Sequence, residues 1–152
     1  VIFQIDSLGA GHLEAMSGVH HACFASGWSV DALDKLMVAP HTLGLGHVLP
    51  GGALAGFILC SAVIDEAEIL TLAVAPECRR HGLARALLEK ALVVSAARGA
   101  KSLVLEVSQT NSPARGLYEA SGFVETGRRP GYYTSQGGAD ALILRLEFGP
   151  RV

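Results

Sequence analysis

The chain has 152 residues, half of them hydrophobic and 17% charged, with a formal net charge of −2 and a pI near 6.3. That length suits one domain with a proper core, taken here as residues 1–152, and the composition excludes a disordered chain. The near-neutral balance gives no basic face for nucleic acid, and Glu89, Lys90 and Arg98 interrupt the most hydrophobic region before it reaches the roughly 18 apolar residues of a membrane span.

Taken in chain order, residues 2 to 5 predict a short strand, and no basic n-region of a secretory signal precedes it in "VIFQIDSLGA". "GHLEAMSGVHHACF" and "SVDALDKLM" predict two helices, the second capped by Ser29. "HTLGLGHVLP", "ALAGFILCSAV" and "EAEILTLAVAP" predict three strands. The short links Pro50-Gly51-Gly52 and Ile64-Asp65-Glu66 suit an antiparallel meander.

After Pro76 the hydrophobic period changes. Leu83, Leu87, Ala91, Leu92, Val94 and Ala97 recur at helical spacing until Arg98 and Gly99 close the helix. "SLVLEVS" is the next strand, so the crossover helix makes it parallel to "EAEILTLAVAP", side by side or nearly so. Asn111 or Ser112 caps a further helix with Pro113 in its first turn, and Gly122 ends it. "GFVETGRR" and "DALILRLEF" are two final strands joined across the loop "PGYYTSQGGA". The expected fold is therefore α/β in the α+β manner: a mixed, mostly antiparallel sheet continued by a parallel βαβ unit.

Several patterns that could carry chemistry fail on spacing. Cys23, Cys60 and Cys78 form no CxxC pair, which reads as reduced thiols in a cytosolic protein. Adjacent His20 and His21 point in different directions on a helix, so with Cys23 they make a poor metal site, and no metal is expected. Gly44 and Gly46 begin a dinucleotide-like run, but Leu49 takes its third glycine position. "RGAKS" lacks the glycine a P-loop needs before its lysine, Lys101. Cys78 beside Arg79 and Arg80 reads as an inert thiol, because no His and carboxylate can be set around it.

"PECRRHGLARALL" carries more information. It brings Arg79, Arg80, Arg85, Gly82 and Ala84 to a strand-to-helix join, where unpaired amide donors and the helix dipole attract anions; the same arginines also fit an ordinary solvated helix start. Glu106 is a carboxylate inside an otherwise apolar strand, so it needs a partner, a shifted pKa or a wet cleft. Tyr118 follows on the next helix, on one face with Ala114 and Leu117, a spacing that fits an aromatic core residue as well as a functional phenol. Ligands of open α/β sheets bind outside the carboxyl ends of strands, where these three features converge.

"RRHGLA" is similar to the Arg/Gln-x-x-Gly-x-Gly/Ala signature of the GNAT superfamily of N-acetyltransferases. Across residues 66 to 123, with the later "YY", the chain resembles the branch of that family made up of bacterial ribosomal-protein alanine N-acetyltransferases. The resemblance implies a GNAT-like fold with acetyl-CoA as co-substrate and no metal. It implies a protein N-terminal peptide as acceptor, from a small-subunit ribosomal protein in the cytoplasm, with no direct nucleic-acid or membrane partner. Laid onto this chain, it assigns the pantetheine arm to the backbone of Leu72, Ala73 and Val74. It assigns the pyrophosphate to Arg80, His81, Gly82, Leu83, Ala84 and Arg85, a further cofactor contact to Asn111, the general base to Glu106 and the general acid to Tyr118. The chain departs from that pattern at Ala84, at Gly27 before Trp28, and through "RRPGYYTSQGGADA".

Overall fold

The computed structural model describes residues 2–134 and 137–149. The elements are β1 (Asp6–Ser7), α1 (Leu13–Cys23), α2 (Val30–Met37), β2 (Thr42–Val48), β3 (Leu54–Val63), β4 (Glu66–Val74), α3 (Leu83–Ala97), β5 (Ser102–Ser108), α4 (Ser112–Ala120), β6 (Val124–Tyr133) and β7 (Ala139–Glu147), with short 3-10 turns at Ala10–His12 and Pro76–Cys78. Among the described residues they build one seven-stranded sheet in the order β1-β2-β3-β4-β5-β7-β6.

The meander and the parallel βαβ unit stand as expected: β2, β3 and β4 pair antiparallel, and β4 pairs parallel with β5. Ser29 caps α2 by accepting from the Ala32 amide, and Asn111 caps α4 by accepting from that of Ala114. The first strand is displaced. Residues 2 to 5 are not in the sheet, and the paired segment is Asp6–Ser7 against Gly46 and Leu45. β2 changes register between His47 and Val48, and His47 turns its ring onto the Gln4 carbonyl at 2.8 Å, so a side chain occupies that carbonyl where a ladder would continue.

At the other end, β6 runs four residues further than the strand the sequence predicted, through Pro130 to Tyr133. Proline is tolerated there because β6 is an edge strand. Part of the loop expected over 130–139, residues 135–136, lies outside the described residues.

Two apolar layers sandwich the sheet. Leu83, Leu87, Leu88 and Ala91 of α3 pack with Tyr118 on one face, against Ile58, Cys60, Ile69, Leu103, Leu105 and Val107. Met16 and Val19 of α1 and Leu33 of α2 pack on the other face against Phe57, Leu59 and Ala73. Strand alternation follows: Leu103, Leu105 and Val107 face α3 and α4, so Val104 and Glu106 face the opposite side.

Candidate active site

The parallel pairing of β4 with β5 is brief. Glu66, Ala67 and Glu68 match Ser102, Leu103 and Val104, and beyond them the strands diverge. The β3–β4 register shifts between Leu59 and Cys60, which leaves Leu70 as an extra residue on β4. Bulges bend the bulged strand and raise its twist, which carries the end of β4 away from β5. The Ala75 amide donates to the Ala55 carbonyl at 2.8 Å, so by ladder alternation Ala73 also turns its backbone groups to β3. Leu72 and Val74 turn theirs toward the opening. The Val74 carbonyl is already held there by Arg79 Nε at 3.1 Å and the Cys23 thiol at 3.2 Å. Of the three backbone positions named from sequence, Leu72 and Val74 thus border the opening and Ala73 does not.

At the carboxyl end of β4 the chain enters α3 through a constrained turn. Arg80 has φ 66°, a region costly for a side-chain-bearing residue and common at ligand clamps. Gly82, the N-cap of α3, has φ 86° and supplies no side-chain acceptor to the first-turn amides. A Cβ at Gly82 would meet nothing within 4 Å, so the approach to those amides is open. Leu83 is buried in the core and anchors the turn, while Arg85 lies along the helix on Glu89 at 3.1 Å. His81 is exposed and Ala84 half-buried on the same turn. Asn111 spends its side-chain oxygen on its own helix, 3.3 Å from the Ala114 amide.

Glu106 lies on the α1/α2 side of β5 with its side chain 28% exposed. Arg129 Nη2 stands 3.0 Å from its Oε1, and the Arg129 guanidinium also sits 5.6 Å from the centroid of the Tyr132 ring. Burial, and after it the negative charges of Glu106 and Glu66, raises the carboxyl of Glu68, an effect Arg129 partly offsets. Burial also raises the Tyr133 phenol, with further contributions from Glu106 and Tyr132. Tyr118 is on the other side of β5, packed edge-on against Phe123 at 5.5 Å. Burial, then the nearby Cys60, pushes its phenol far above the ordinary tyrosine range, so it stays protonated. Glu106 and Tyr118 therefore approach the strand from opposite faces.

Sequence reasoning gave no role to Arg129 or Tyr133, both on β6, which join Glu68 of β4 around Glu106; their one-dimensional signal is only that each is a polar or amphipathic residue in a strand. It also missed a cluster on α1. His20 is buried, stacked on Trp28 at 4.5 Å and against Phe24 at 4.4 Å. Its Nδ1 accepts from the Trp28 amide at 3.0 Å, which leaves Nε2 to donate to Thr71 Oγ1 at 3.1 Å. Burial, then His21, lowers its pKa to about 4. His21 instead contacts the Ser17 carbonyl at 2.8 Å, so the two histidines diverge as their spacing predicts. Gly27 is required in the connecting loop: a Cβ there would stand 2.6 Å from His21 Cα.

A sequence profile described as the acetyltransferase (GNAT) family matches residues 13–123. The chain belongs to the GNAT acetyltransferase family. Among its GNAT relatives, the ribosomal protein bS18-alanine N-acetyltransferase of Escherichia coli (strain K12) is 43% identical over 96 residues, covering 62% of this chain and 65% of that protein. The match thus spans just under two thirds of that relative's length. A Bacillus subtilis (strain 168) protein, which carries the same name provisionally, is 35% identical over 127 residues, 83% of each chain. The crystal structure of the ribosomal-protein-S18-alanine N-acetyltransferase from Escherichia coli superposes on 99% of this chain and 97% of its own, with TM-score 0.90 and 33% identity. The GNAT fold accounts for the mixed sheet, the meander and the βαβ unit read from sequence.

Proposed function

We propose that this chain transfers the acetyl group of acetyl-CoA directly to the N-terminal amine of a protein, with an N-terminal alanine of a small-subunit ribosomal protein as the acceptor, in the cytoplasm. The observation that carries the reading is the β4/β5 opening, which has bare helix amides at one end and a carboxylate beside it. The names of the bacterial relatives support the choice of acceptor.

The residues fit acetyl-CoA. The first-turn amides of α3, from Gly82 through Arg85, are uncapped by any side chain and open to an approaching pyrophosphate, with Arg80 and His81 beside them. The Leu72 backbone and the Val74 amide suit the amides of a pantetheine arm, the Val74 carbonyl being taken by Arg79 and Cys23, and the side-chain Nδ2 of Asn111 is the group left over from helix capping. The thioester supplies an activated acyl carbon; everything else is the work of side chains and backbone.

An α-ammonium loses its proton near pH 7.7–8.0 and a lysine near 10.4, so a protein N-terminus is the easier acceptor at neutral pH. Glu106, partly exposed and within reach of water, takes that proton. A backbone amide on the Leu72–Val74 edge steadies the developing oxyanion. Tyr118, held protonated by burial, supplies the proton to the departing thiolate.

Acceptance of a cationic small amine or a lysine side chain is the second reading, favoured by the Glu68 carboxyl standing in the field of Glu106. A panel of N-terminal Ala peptides, the same peptides with a blocked amine and an internal Lys, and small amines separates them. Transfer to the free N-terminus alone supports the proposal, and steady acetylation of the blocked peptide overturns it.

A further inference from the structure

The proposed general base is not vacant. Arg129 Nη2 lies 3.0 Å from Glu106 Oε1, on the carboxylate that an incoming amine must reach directly or through one water. A guanidinium and an ammonium compete for the same oxygen lone pairs and repel one another, so both cannot hold that position.

The backbone under Arg129 is built to aim it. The β6–β7 register jumps from Arg129 opposite Ala141 to Tyr133 opposite Ala139, so Pro130, Gly131 and Tyr132 bulge out against Asp140 alone. Gly131 takes φ 63° in this bulge, and its amide donates to Asp140 Oδ1 at 3.0 Å. Asp140 Oδ2 accepts from Arg128 Nη1 at 3.3 Å, which pins the base of the loop. The bulge also carries Tyr132 to within 5.6 Å of the Arg129 guanidinium while it holds Glu106, so an aromatic face is already in place to keep the cation once the carboxylate is taken. Half-exposed ion pairs are weak, so the exchange from one partner to the other is shallow.

We propose that Arg129 is a displaceable internal cation: it covers Glu106 while no acceptor is bound, is exchanged for the acceptor's ammonium, and withdraws onto Tyr132. Arg129 thereby sets acceptor affinity without touching the reacting atoms. Burial, then the charge of Glu106, disfavours the anionic form of Glu68, so an arriving ammonium beside these two carboxyls relieves a repulsion that Arg129 otherwise offsets. The inference rests on Glu106 being the base.

Two measurements on the full chain test it with an N-terminal Ala peptide as probe. Arg129→Gln should lower the acceptor KM by about two- to five-fold, the range an exposed ion pair is worth, while the acetyl-CoA thermal shift is unchanged. Arg129→Lys, which restores a cation, should keep the KM of the parent. By NMR, the side-chain Nε–H resonance of Arg129 should move when the free peptide is added and stay in place with its N-acetylated form. An unchanged acceptor KM in Arg129→Gln, a fall in kcat alone, or equal resonance shifts with both peptides would overturn the exchange. Glu106→Gln distinguishes the levels. Near-normal turnover in that variant removes the general base and this proposal with it, whereas a dead Glu106→Gln beside a parent-like Arg129→Gln removes the exchange alone.

Discussion

Arg129 and Glu106 come from strands that are not neighbours in the sheet, yet their side chains meet at 3.0 Å across β7. Arg129 stands opposite Ala141 and Glu106 opposite Ile143, so the guanidinium crosses β7 over the small side chain of Ala141. A residue of the β6–β7 segment, where the chain departs from the family pattern, thus reaches the carboxylate that the resemblance marks as the base.

Glu106→Gln keeps size and hydrogen bonding but removes the base. Turnover should fall by on the order of 10² to 10⁴. Part of the activity should return at high pH, where hydroxide generates the free amine. A pH–rate profile of the variant checks both, and near-parent turnover at pH 7 would leave Glu106 a strand-end carboxylate with an arginine partner.

Tyr118→Phe removes the phenolic proton and leaves the ring that packs on Phe123. The expected result is a lower kcat that high pH rescues poorly, because the defect lies in protonating the thiolate. An acetyl thioester with a better leaving group should restore Tyr118→Phe more than Glu106→Gln. Equal rescue of the two variants would contradict the separate roles.

Gly82→Val places a branched side chain where φ is 86° and where the α3 amides are open. Acetyl-CoA at 100 times its dissociation constant should stabilise the parent chain by about 2.7 kcal/mol, and the variant should show no such gain. Thermal denaturation with and without acetyl-CoA measures this. A full shift in Gly82→Val would remove the pyrophosphate site from this turn.

His20 has a folded-state pKa of about 4, below the 6.5 of the unfolded chain. Between those values the unfolded state binds more protons, so stability is greatest above about pH 6.5, is lost as pH falls toward 4, and levels off below it. At about 1.4 kcal/mol per pKa unit, the loss is on the order of 3 kcal/mol. His20→Gln should remove this part of the acid sensitivity while weakening the fold at neutral pH through the lost contacts to Thr71 and Trp28. Urea unfolding of both proteins across pH 4 to 7 tests it; parallel pH curves would mean that His20 is not the titrating group.

Local chemistry determined much of this protein before any tertiary contact. The period change at Pro76 marked α3, because a helix buries every third or fourth residue and a strand every second. Asn111 and Ser29 marked helix starts, because a short polar side chain satisfies an orphan amide. Gly82 before Leu83 marked the helix amides as a candidate anion site, because signature and spacing are properties of one contiguous segment. What the chain order could not decide was how the last two strands join the sheet and where its strands bend. β7 inserts between β5 and β6, β4 bends from β5 at Leu70, and Glu106 acquires Arg129, Glu68 and Tyr133 as surroundings only in that arrangement. Residue types and periodicity are local, whereas register, bulges and the field at a carboxylate arise from segments dozens of residues apart, and these set what Glu106 meets.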